Sequence, residues 1–97
     1  MQTYVILRRG GWATPADLAE AAARSTAEGD QMADDIRWIR SYVLAEQDGS
    51  VGTVCIYQAS SPEAIRAHAA AAELPVDEII AVADTVVVRP DPVPATA

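Results

Sequence analysis

The sequence predicts an α+β fold, one four-stranded antiparallel sheet with two helices on one face. Three observations carry this. The chain has 97 residues, enough for one domain with one core. Its patterned segments run in the order β-α-β-β-α-β. Each helical segment opens on a hydroxyl residue followed by proline, and the two central strands are joined by a hairpin-length connection. That order is the ferredoxin-like split βαβ arrangement.

Residues 3–8, TYVILR, have the β-branched, aromatic and aliphatic composition of a strand. The next residues, RGGW, predict a break and a flexible turn; their glycines lack the spacing of a nucleotide loop. A helix follows in TPADLAEAAARSTAEG, with Thr14 as cap, Pro15 at its first position and Asp17 in its first turn. Leu18, Ala21, Ala22 and Ser25 form its narrow apolar face, and Gly29 is expected to end or loosen it. Residues 36–46 form the second strand, QDGS a turn, and residues 51–59 the third strand. The second helix lies in SSPEAIRAHAAAAE, with Ser61 as cap, Pro62 first and Glu63 in the first turn. LPVDEI turns the chain, and residues 79–88 supply the fourth strand, with a start that also reads as helical. The folded domain is expected over 1–89 and a flexible proline-rich tail over 90–97.

Strand parity gives a further expectation. In the second strand Trp38, Arg40, Tyr42 and Leu44 alternate with Ile39, Ser41 and Val43; in the third, Thr53, Cys55 and Tyr57 alternate with Val54 and Ile56. Both faces of the sheet are therefore largely apolar, and two small helices cover only one. The second face calls for another copy of the same sheet, which predicts a homodimer of the dimeric α+β barrel kind with an enclosed space between its layers. Ile6, Leu18, Ile39, Val54, Ile56 and Ile65 are expected in the core or the dimer interface.

Composition limits the function. Fourteen acidic residues stand against seven basic ones, all arginine, which argues against nucleic acid as partner. No apolar run is long enough to span a membrane, and no export segment opens the chain. A lone cysteine, Cys55, suits a reducing compartment, so a cytoplasmic location is expected. Alanine richness without lysine suggests a GC-rich bacterial source.

No catalytic signature is present: no phosphate loop, paired-cysteine zinc spacing, His-Glu-x-x-His or nucleophile elbow. His68, the single histidine, shares a helix face with Ile65, Ala69 and Ala72 and is expected to point toward the sheet. It reads either as a metal ligand or acid–base group, or as a hydrogen-bonded core residue. Trp38, Arg40, Tyr42, Cys55 and Tyr57 lie on the two hairpin strands. If the two sets face one way, they form a wall for a planar or anionic ligand; otherwise they are core with Arg40 at the rim. The acidic pairs Asp34–Asp35 and Asp77–Glu78 read as solvated, or as an oxygen ligand beside His68.

From DIRWIRSYVLAEQ through GTVCIYQASSPEAIRAHAAAAELPVDEI the chain resembles a bacterial family of small proteins. That family was long described only as a domain of unknown function, and its characterised type member is nickel-binding and nickel-responsive. The resemblance spans Tyr4 to about Val88 and is carried by Trp38, Ser41-Tyr42, Cys55-x-Tyr57, Ala59, Glu63 and His68-Ala69. It implies a ferredoxin-like homodimer joined through its sheets, and nickel as a ligand with His68 in the metal site. The chain departs from the family pattern at Arg40, where a histidine is common, and at Leu7, where an acidic residue is. A cation there repels metal, so the alternative is a site rebuilt for an anionic small molecule with Arg40 as counter-ion. Two classes of function follow. One is a binding protein for nickel or a small organic ligand. The other is a small cofactor-independent enzyme of the oxygenase, cyclase or isomerase type, using His68 with Tyr42 or Tyr57 as acid and base.

Overall fold

The structure, a computed structural model, describes residues 1–93. Its elements are β1 (Gln2–Trp12), α1 (Pro15–Gln31), β2 (Ile36–Ala45), β3 (Val51–Ala59), α2 (Pro62–Ala71) and β4 (Glu78–Ala81). The sheet order is β2-β3-β1-β4, and every neighbouring pair is antiparallel. The order and the split βαβ topology are as expected. Among the described residues, no helix is long and apolar enough to cross a membrane.

Local chemistry explains the elements. Thr14 Oγ1 accepts from the Asp17 amide at 3.2 Å, and Ser61 Oγ from the Ala64 amide at 3.2 Å, each followed by a proline. Each cap contributes about 1 kcal/mol by satisfying an amide that the helix leaves open. Tyr4, Ile6, Ile36, Cys55, Tyr57, Ala59 and Ile65 form the core cluster between helices and sheet.

Three expectations are corrected. RGGW does not break the first strand. Arg8 pairs with Thr53 and Trp12 with Val51, so residues 9–11 bulge outward against Gly52 alone. The bulge amides find acceptors: Glu46 takes the Gly10 amide at 2.7 Å and the Arg9 guanidinium at 2.9 Å, and Asp77 takes the Arg9 amide. A Cβ on Gly52 would stand 2.5 Å from the Arg8 carbonyl oxygen, so this close backbone approach demands glycine. Gly29 does not end α1, which continues to Gln31 and is closed by the Met32 amide on the Gly29 carbonyl at 3.1 Å. The fourth strand spans Glu78–Ala81, not 79–88. Ala81 already pairs with Tyr4, and β1 begins at Gln2, so little strand remains to pair beyond Val82.

Of the expected tail over 90–97, residues 94–97 lie outside the described residues. Within it, Asp91 accepts from the Arg40 guanidinium and from the Tyr42 hydroxyl at 2.7 Å.

The face away from the helices carries Val5, Leu7, Val54, Ile56, Tyr42 and Ile80, half-buried to exposed. Ile6 and Ile65 are fully buried, Leu18 is half-buried, and Val54 and Ile56 lie on this open face. Ile39 is 44% exposed, so it does not belong to the core between helices and sheet.

Candidate functional site

The exposure of Ile39 has a register cause. Trp38 pairs with Tyr57, yet Arg40 pairs with Ile56, so Ile39 is an extra residue in β2. A one-residue bulge reverses the parity of everything beyond it. Trp38 shares the helix-side face with Tyr57 by direct pairing; beyond the bulge Ser41 joins Cys55 and Val43 joins Thr53 on that face, while Arg40 and Tyr42 turn to the open face. The expectation that Trp38, Arg40 and Tyr42 share a face is corrected on this ground.

The bulge helps shape a cavity of about 530 Å³ between α1 and the sheet. Trp38, Cys55 and Tyr57 line it, and Arg40 borders it next to the bulge, although its guanidinium is engaged by Asp91. Tyr42 is absent from this lining and bonds the same Asp91. Trp38 stacks on Tyr57 with ring centroids 6.1 Å apart and planes 7° from parallel. Leu18, Ala21 and Ala22 of α1 form the roof, with Trp12 and Leu74 beside them. The small residues of the α1 face leave the space that larger ones would fill. The exposed Trp38, Ile39 and Val43 place the mouth along β2.

Arg8 also lines this cavity and is 1% exposed. Its Nη1 donates to the Pro75 carbonyl at 2.6 Å, and its Nη2 has no partner among the described residues. Sequence reasoning passed over this residue. The signal was present: Arg8 has the parity of Tyr4 and Ile6, so a cation stands at an inward position of an apolar strand. Thr53 and Trp12 were likewise not proposed as site residues. Thr53 Oγ1 accepts from Cys55 Sγ at 3.2 Å.

His68 points inward, as its spacing predicts, and is 1% exposed. Its Nε2 lies 2.9 Å from the Ser25 carbonyl, and its ring is tilted against Tyr57 with centroids 5.7 Å apart. A carbonyl only accepts, so Nε2 carries a proton. The ring's Nδ1 is buried without a partner among the described residues. Ser25 Oγ meets the Tyr57 hydroxyl at 3.1 Å. Burial raises the Tyr57 hydroxyl above its ordinary pKa, with the Ser25 hydrogen bond and the nearby Arg8 charge opposing. His68 lines a second cavity of about 360 Å³ that shares Ser25, Trp38 and Tyr57 with the first.

The donor set does not fit a nickel site within one chain. Among the described residues, no three of His, Cys, Asp and Glu converge. Cys55 lines the first cavity and not the second, and Asp34, Asp35, Asp77 and Glu78 line neither. Asp35 accepts from the Ser60 hydroxyl, and Asp77 serves the β1 bulge.

Comparison with known proteins adds the following. A family model described as nickel responsive protein SCO4226-like matches residues 4–82. The crystal structure of SCO4226 from Streptomyces coelicolor A3(2) is similar with a TM-score of 0.66, at 20% identity, covering 87% of this chain and 99% of that one. At that identity the likeness speaks for the fold. No curated protein gives a significant match.

Proposed function

This chain belongs to the SCO4226-like family of nickel-responsive proteins, and from that premise we propose that it is a ligand-binding homodimer whose site is the cavity between α1 and the sheet. The observation that carries the reading is the β2 bulge at Ile39. It sends Arg40 and Tyr42 to the open face while Trp38 stays stacked on Tyr57, exposes Ile39 and leaves a lined space of ligand size. The open sheet face supports the dimer, since a monomer seldom leaves Val5, Leu7, Val54, Ile56 and Ile80 without cover. Native mass spectrometry of the purified protein tests both parts. The expected result is twice the chain mass with a small organic molecule carried along. A stable monomer would remove the dimer, and protein that captures no organic compound from a metabolite mixture would remove the site.

Nickel is the second reading, favoured by the Nδ1 of His68, buried and without a partner among the described residues. Asp30 is the carboxylate that lines the same cavity, and one nitrogen with one carboxylate is short of the ligand number a divalent ion needs, so the described residues of a single chain do not complete this site. Nickel titration followed by native mass decides the matter. A nickel-bound species that His68→Ala abolishes, with the dimer intact, restores this reading. The enzyme alternative finds its proton-bearing groups in Tyr57, Ser25 and His68, since Tyr42 faces the other side of the sheet. Those groups bond one another, which suits binding better than turnover.

A further inference from the structure

We propose that the cavity takes a planar organic monocarboxylate whose charge is met by the buried guanidinium of Arg8. The inference rests on the ligand-binding reading and names the ligand class. A guanidinium presents five donors and is always charged. In Arg8 the Nη1 donates to a neutral carbonyl, the neutral Tyr57 hydroxyl lies near enough to feel its charge, and Nη2 has no partner among the described residues. The described salt bridges, Arg9–Glu46 and Arg40–Asp91, leave Arg8 out. A buried cation in a folded protein is ordinarily paired, and here the neighbouring space is empty of any carboxylate.

The charge count fixes the ligand's charge. Arg40 at the cavity border is already neutralised by Asp91, and the chain has no lysine. One uncompensated positive charge calls for a monoanion, and a doubly charged phosphate ester would be left half unpaired. The guanidinium fork matches the two oxygens of a carboxylate. The walls fix the rest of the molecule. Trp12, Leu18, Ala21, Leu74 and the stacked Trp38 are apolar or aromatic, and the Trp38–Tyr57 stack offers a flat surface at the mouth. Arg8 is held in place by its bond to Pro75, whose ring packs where Gly11 has no side chain. A Cβ on Gly11 would lie 2.9 Å from Pro75 Cγ.

The test is calorimetric titration of the intact protein with 2-naphthoate and with its neutral isostere 2-naphthamide. The wild type should bind the acid about tenfold or more tightly than the amide, the size of a charge-assisted hydrogen-bond difference. Arg8→Gln should bring that ratio close to one, and Arg8→Lys, which keeps the charge but loses the fork, should fall between. Equal binding of acid and amide by the wild type overturns the carboxylate proposal and leaves the cavity reading standing. Binding of neither compound overturns both. A ratio unchanged in folded Arg8→Gln places the anion elsewhere and also overturns the proposal. Should Arg8→Gln fail to fold, the wild-type ratio and Arg8→Lys still decide.

Discussion

Replacing Arg8 by methionine should make the ligand-free protein more stable. Arg8 is 1% exposed, with a single hydrogen bond of 2.6 Å from Nη1 to the Pro75 carbonyl. A buried ion without a counter-charge carries a desolvation penalty of several kcal/mol. Methionine keeps an unbranched stem of comparable reach and removes the charge. The lost bond to Pro75 offsets part of the gain, roughly 1.5–3 kcal/mol in the protein, but Pro75 is exposed and its carbonyl can turn to water. The balance should be a gain of about 1–4 kcal/mol, the range seen when buried ions give way to apolar residues. In a domain of this size each kcal/mol moves Tm by about 4–8 °C. Calorimetric melting in buffer free of organic acids should therefore show the variant at least about 4 °C above the wild type. Saturating 2-naphthoate should then raise the wild type alone and narrow the gap. A ligand-free variant that melts below the wild type would refute the unpaired charge.

Gly52→Ala should cost roughly 1–3 kcal/mol in urea unfolding, because its Cβ would meet the Arg8 carbonyl at 2.5 Å and the Gly10 nitrogen at 3.0 Å. An unchanged midpoint would mean that the β1 bulge yields freely. Ile65→Ala empties a position that is 0% exposed and should cost about 2–5 kcal/mol by the same measurement; a change near zero would put the α2 face in the wrong place. Burial raises the Tyr57 pKa, so the folded state favours the neutral hydroxyl. That stability is fully present below the ordinary tyrosine value of about 10 and is lost as pH rises through the folded value. Ultraviolet phenolate titration should show one of the three tyrosines ionising last, and Tyr57→Phe should remove that step. The Tyr42 and Arg40 hydrogen bonds lower the Asp91 pKa, so its contact should persist below the ordinary aspartate value of about 3.9 and be lost only as pH falls through the folded value. A carboxyl NMR midpoint for Asp91 at or above that ordinary value would remove the contact.

Most of the fold was legible because it is written in local signals. Thr14-Pro15 and Ser61-Pro62 announce two helix starts, and QDGS announces the hairpin. The strand order then follows from topology. What local pattern does not report is an inserted residue. Ile39 suits a strand as well as its neighbours do, and only its pairing with β3 shows that it is extra. The same holds for residues 9–11, whose glycines read as a break because their acceptors, Glu46 and Asp77, lie far along the chain. Of the candidate site, Trp38, Cys55 and Tyr57 were named from strand parity with the facing of the two strands left open, and the pairing with β3 is what brings these three to one cavity. His68 was placed inward by helix spacing. Arg8 was missed although its parity marked it, because a strand-end arginine is ordinarily taken as a rim residue.

The bulge also separates the two ligand chemistries that the family resemblance brings together. Leu7 pairs with Val54 and Arg40 with Ile56, so both stand on the open face of the sheet. His68 lies under the other face, against Tyr57 and Ser25. The thickness of the sheet stands between them. A histidine in place of Arg40 and an acid in place of Leu7 would therefore share no ion with His68 inside one chain. They would instead face whatever covers the open side. It follows that changes at Arg40 act on the outer face, where Asp91 holds it, and changes at Arg8 act on the cavity. Arg40→His should then leave the preference for 2-naphthoate over 2-naphthamide unchanged, while Arg8→Gln abolishes it. Should Arg40→His remove that preference as fully, the two faces are coupled, and the register of β2 in solution is not the one described.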